Sequence, residues 1–212
     1  MLLAKTDRNL RRPNQQELQR ERDQLLCTWP ALTKITARPG VNLNAIQAQD
    51  GRATGMDFRK VHDRFGWMAK NHMNCAGAIY RSSAFICLPP ESRCGSKAEC
   101  LSHPGEQNVH IEHTVQASAL QHVWNSKKGY LDLDATIHWV LNNSVATAMM
   151  PREAAGLPSR NRDIPEKPFE RYVGSDLEIW NVLTGTTVDF STFTFEDHRT
   201  LISSLIHEHR SV

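Results

Sequence analysis

The stretch NVHIEHTVQ, residues 108–116, sets two histidines and a glutamate among alternating apolar side chains. Alternation over a short run predicts a strand through NVHIEH, residues 108–113. Successive strand side chains point to opposite faces, so Glu112 and His113 can share one site only at a strand end or a bulge. The following Thr114-Val115-Gln116 allows the strand to end there.

On the N-terminal side, PPESRCGSKAECLSHPGE (89–106) has the composition of a loop, and GAIYRSSAFICL (77–88) is rich in strand formers. Helical spacing of Phe58, Val61, Phe65 and Met68 predicts a helix over 56–71. Residues 28–55 are punctuated by Pro30, Pro39, Gly40, Gly51 and Gly55 and read as an extended arm. Residues 13–27 read as a polar helix with Pro13 near its first turn, lying on a surface or reaching to a partner.

On the C-terminal side a helix is expected over 115–125 and a turn over 125–129. ATIHWVL (135–141) is expected to be a second strand, with Asn142-Asn143-Ser144 as a cap or turn. Residues 144–157 are ambiguous: ATAMM favours helix, yet Pro151 forbids an uninterrupted one and can instead open a short helix ended by Gly156. A loop over 158–168, a strand near 178–183, a Thr-Gly-Thr turn and a final helix over 195–208 complete the chain. The expected fold is a single α+β domain. Residues 1–55 form an N-terminal helix and arm, and 56–212 a body whose centre is 108–157.

The chain has 212 residues and a formal charge of +2, which permits nucleic-acid binding without arguing for it. No apolar run approaches the roughly 20 residues that span a bilayer, and MLLAKTDRNLRR lacks the apolar core of a secretory signal. A cytoplasmic protein with no membrane partner is the expectation. Cys75, Cys87, Cys94 and Cys100 cluster within one segment. They can form a structural Zn²⁺ site with His103 nearby, disulfides, or plain thiols, and their gaps favour none of these. The five tryptophans are widely separated, as core or core-edge anchors would be.

A carboxylate beside a histidine supports two roles. Glu112 can hold a divalent cation, and His113 can take a proton from water. The pattern of Ile111 to Val115, an apolar residue followed by Glu-His-Thr-Val, resembles the first motif of the HNH endonucleases, the ββα-metal or His-Me finger family. The resemblance extends over about residues 110–155. It implies a ββα-metal-finger-like core with peripheral helices, and a metal-dependent endonuclease acting on nucleic acid, DNA ahead of RNA. It further implies Glu112 as metal ligand and His113 as general base, with Asn142 or Asn143 orienting His113 or binding the metal. Glu153 is the nearest match by spacing to the family's last ligand. Mg²⁺ is the ion expected first, with Mn²⁺ or Zn²⁺ as alternatives. Gln116 stands where proline is common in the family, and no C-x2-C pair flanks the motif. Arg152, Arg160, Arg162 and Lys167 follow the candidate finger and can contact phosphates or simply be solvated.

Neither H-E-x-x-H, H-x-x-E-H nor G-x-S-x-G occurs, and no Gly-rich phosphate loop is present. The competing reading is a non-enzymatic interaction module. In it the N-terminal helix and arm dock on a protein partner, and a zinc or disulfide holds the Cys-rich loop.

Overall fold

The computed structural model describes residues 11–33, 77–94, 107–126, 133–159 and 163–210. The helix expected over 56–71, arm residues 34–55, and Cys75, Cys100, His103, Arg160 and Arg162 lie outside them.

A five-stranded mixed sheet organises the fold. In chain order its strands are β1 (Tyr80–Ser82), β4 (His110–His113), β5 (Ala146–Met149), β6 (Ile179–Asn181) and β7 (Thr186–Thr187). They lie in the spatial order β4-β5-β1-β6-β7. β1 runs parallel to β5, and the other pairings are antiparallel. A second, two-stranded sheet pairs β2 (Arg93–Cys94) with β3 (Gln107–Asn108). The helices among the described residues are α1 (Gln15–Thr33), α2 (Ser83–Cys87), α3 (Ala117–Ser126), α4 (Leu133–Asn143), α5 (Pro151–Ala155) and α6 (Phe195–Arg210). The α+β class expected from sequence is the observed one.

The two faces of the sheet carry separate apolar clusters. Register places Tyr80, Thr147 and Glu112 side by side on one face. That face meets the main core, which includes Tyr80, Met149, Val115, Val140, Leu141, Phe169 and Leu205. Ile111 and Ala148 face the other way, into a smaller cluster with Ala78, Phe85, Val109 and Met150. The irregular segment 163–177 is fastened over the first face by aromatic rings. Phe169 lies edge-on to Tyr80 at 5.0 Å between centroids and to Tyr172 at 5.4 Å.

Several local expectations hold. The helix expected just after Pro13 is present as α1, and Asn14 and Glu17, not anticipated from sequence, cap it reciprocally, each side chain accepting from the other's backbone N–H at 2.9 Å. Pro151 opens α5 and Gly156 closes it. Gly185, in the Thr-Gly-Thr turn, has φ +68°, a conformation that glycine adopts without steric cost.

Four expectations are corrected. Residues 135–141 are helical, as part of α4, because Ile137, Val140 and Leu141 continue a helical stripe from Leu133. The helix-favouring ATAM segment is instead β5, buried between β4 and β1, where tertiary pairing overrides local preference. In 77–88 the strand stops at Ser82. There the hydroxyl accepts from Phe85 N at 3.2 Å and starts α2. Finally, α1 runs on to Thr33, past the helix end expected at residue 27, and Glu21 and Leu25 on it are fully buried, which a purely surface helix would not show.

The Ser82 hydroxyl also donates to Glu153 Oε2 at 2.6 Å. Ser82→Ala should therefore remove a helix cap and a carboxylate partner together, lowering stability by about 2 kcal/mol. A urea titration followed by far-UV circular dichroism checks this, and a loss below about 0.5 kcal/mol refutes the double role.

Candidate functional site

β4 ends at His113, which lies opposite Ala146, the first residue of β5. Thr114 N–H and Oγ1 both donate to Val145 O at 3.0 Å, so the chain leaving β4 is tied to the chain entering β5. Asn142 and Asn143 close α4 just before β5, and α5 follows β5 after Met150. The order is thus strand, antiparallel strand, helix, with α3 and α4 inserted between the strands. Trp124 and Trp139 pack that insertion together at 5.3 Å between ring centroids.

The expected site residues are distributed as follows. His113 is 6% exposed and points to the Ile111 face. Glu112, 2% exposed, points to the opposite face, because the ladder runs without a bulge through His113. Its Oε1 accepts from Arg171 Nη1, and its Oε2 lies 3.5 Å from His110 Nε2. Asn143 donates from Nδ2 to Trp139 O at 2.7 Å and accepts at Oδ1 from Arg199 Nη2 at 3.3 Å. Asn142 Oδ1 is buried and accepts no hydrogen bond from the described residues. Glu153 Oε2 accepts from Ser82 Oγ and, at 2.7 Å, from Met150 N, so it caps α5 from a buried position.

These positions decide whether a divalent ion fits. Glu112 and His113 diverge, Asn143 is bonded to α4 and α6, and Glu153 is bonded to Ser82 and Met150. Among the described residues, no group of three His, Cys, Asp or Glu side chains could hold a metal ion. The expected donor set of Glu112, Asn143 and Glu153 does not form a metal site in this arrangement. The four-cysteine zinc set is broken too. Cys94 is disulfide-bonded, its partner lying outside the described residues, and Cys87 is a free thiol.

Sequence reasoning missed the buried charges around the sheet. Glu21 Oε2 accepts from Arg81 Nη1 and, at 3.0 Å, from Arg93 Nη1, while Arg93 Nη2 donates to Oε1 at 2.7 Å. It also missed Arg171, carried by the 3₁₀ turn Glu170–Tyr172, and His198 of α6. His198 Nε2 lies 2.9 Å from the Leu141 carbonyl, which only accepts, so Nε2 carries the proton and Nδ1 accepts from Tyr80 Oη at 2.8 Å. Burial pushes the imidazole pKa from 6.5 down to about 4, against the opposing pull of the Leu141 carbonyl.

This depression favours the neutral ring in the folded state. Its contribution to stability is complete above about pH 6.5 and is lost as pH falls toward 4, where the unfolded chain binds a proton that the folded one excludes. A loss of about 3 kcal/mol is expected over that window. His198→Gln should flatten this part of a stability–pH curve measured by urea unfolding, and an unchanged slope counts against the assignment.

A cleft of about 650 Å³ lies beside α5 and not at His113. Its lining includes Arg12, Ser83, Arg152, Glu153 and Glu178. Arg12 is paired with Glu178 at 2.8 Å, and Arg152 is exposed at the rim. Lys167 donates one hydrogen bond to the Ser191 carbonyl at an exposed position. No described helix is long and apolar enough to cross a membrane.

No family model matches the chain, and no curated protein or solved structure matches it.

Proposed function

We propose that this chain is an endonuclease that hydrolyses phosphodiester bonds of nucleic acid, DNA ahead of RNA, with His113 as general base. The observation that carries the reading is the order of elements around His113. The histidine ends one strand, the antiparallel partner strand begins opposite it after Asn142-Asn143, and a short helix follows at once. In the hydrolytic step an imidazole nitrogen of His113 takes a proton from water. The water oxygen bonds to phosphorus, and the ester oxygen departs and gains a proton from solvent. Exposed Arg152 can meet a phosphate by charge attraction. The metal dependence implied by the family resemblance requires ligands other than the present arrangement of Glu112, Asn143 and Glu153.

The test is cleavage of single- and double-stranded DNA and RNA by wild type and His113→Ala, with Mg²⁺, Mn²⁺ or Zn²⁺ and with chelator. Cleavage lost in the variant supports the reading, and chelation decides its metal dependence. Absence of cleavage by wild type with every metal and substrate overturns it. A non-enzymatic interaction module is the second reading, favoured by the disulfide at Cys94, which takes that sulfur out of any zinc set. Docking through α1 is limited to its outer side, because Leu25 already belongs to the core.

A further inference from the structure

We infer that Arg171 is the permanent counter-ion of Glu112 and takes the place that a divalent metal would need there. Glu112 is 2% exposed, and a carboxylate so buried must be paired or lose its charge. Arg171 supplies that pairing from a segment 59 residues away, donating Nη1 to Oε1, and its own side chain is 15% exposed. His110 stands at the outer side, 39% exposed, with Nε2 3.5 Å from Oε2. Both carboxylate oxygens therefore already have nitrogen neighbours.

A Mg²⁺ or Mn²⁺ ion at Glu112 would have to approach an oxygen to roughly 2 Å, beside a guanidinium already in contact with the same carboxylate. The two cations would repel each other in a poorly screened setting. Expelling Arg171 is no easier, since the guanidinium would lose its partner while mostly covered. The rest of the segment is also fixed, with Phe169 and Tyr172 fully buried on either side of Glu170-Arg171. Arg171 is thus fastened against Glu112 by packing as well as charge. Its role is to position the strand that delivers His113, with Glu112 as the internal anchor.

The experiment measures Mn²⁺ binding by titration calorimetry and stability by urea unfolding, using the full chain and the variants Glu112→Gln, Arg171→Met and the double substitution. Arg171→Lys keeps the charge and replaces Arg171→Met if the latter does not fold. The expected result has two parts. Mn²⁺ binding is absent or is unchanged by Glu112→Gln, and the double variant is no less stable than the weaker single variant, as a coupled pair requires. The inference is overturned if Glu112→Gln weakens Mn²⁺ binding by about tenfold or more, the scale of a lost metal contact. Additive loss of stability in the double variant overturns it as well. Cleavage is not read, so failure of the nuclease reading leaves this result standing and the converse also holds.

Discussion

Glu21→Ala is expected to destabilise the protein by about 3–5 kcal/mol, a large part of the 5–15 kcal/mol that holds a typical domain together. Glu21, Arg81 and Arg93 are all essentially fully buried, and the partly exposed Arg20 pairs with the same carboxylate, so removing it takes away the charge that two buried guanidinium groups share. Arg81 Nε donates to the Ala78 carbonyl, Arg93 donates to the Leu88 and Phe85 carbonyls, and Arg93 lies over the Phe85 ring at 4.1 Å. Burial by itself raises the Glu21 pKa, but Arg81 and Arg93 outweigh it and hold the carboxyl below its usual range. The stabilisation is present above the unfolded carboxylate pKa and is lost as pH falls through the lower folded value. Urea unfolding at neutral pH measures the cost. Replacing all three charges by apolar residues of similar volume should recover most of it, because desolvation is then removed with the attraction. A Glu21→Ala cost below about 1 kcal/mol would place the triad in water.

His113→Ala carries the largest expected effect on activity. A positioned general base contributes about 10²–10⁴-fold to rate, so cleavage by the variant should fall by that factor, equivalent to about 3–5 kcal/mol in the barrier. His113 and its partner Ala146 flank the smaller apolar cluster, and alanine removes the ring without adding a polar group. The variant should keep its circular dichroism spectrum and most of its urea stability. Retention of that spectrum with cleavage reduced less than about tenfold would show that the proton goes elsewhere.

The contrast between these two positions explains how far the sequence could be read. The strand through HIEH, the Pro151 start of α5, the Thr-Gly-Thr turn and α6 all follow from local chemistry: alternation, ring constraint, φ preference and helical periodicity. α4 was misread because ATIHWVL shows β-branched and aromatic residues when cut at Ala135, while its helical stripe begins at Leu133. β5 stays ambiguous in the sequence because Ala and Met prefer helices, and only its place between two strands makes it extended. α1 was read as a surface helix for its few apolar residues, although the stripe that it buries includes Glu21 between Leu18 and Leu25. The candidate site divides in the same way. His113 at a strand end was legible, but the partners that claim Glu112 and Glu153 were not. Arg171 pairs with Glu112 across 59 residues and Ser82 with Glu153 across 71, and no local pattern announces either pairing.

Strand β1 carries a kinetic consequence. Its three residues reach to three remote segments: Tyr80 to His198 across 118 residues, Arg81 to Glu21 across 60, and Ser82 to Glu153 across 71. The strand also pairs with β5 and β6, neither of them its neighbour in the chain. Among the described strands, only the β6–β7 ladder closes through a short turn. The sheet therefore cannot zip up hairpin by hairpin, since its central strand has to wait for both halves of the chain. Loop closure must be met before those contacts repay it, which places the folding time in the millisecond-to-second range of non-local folds.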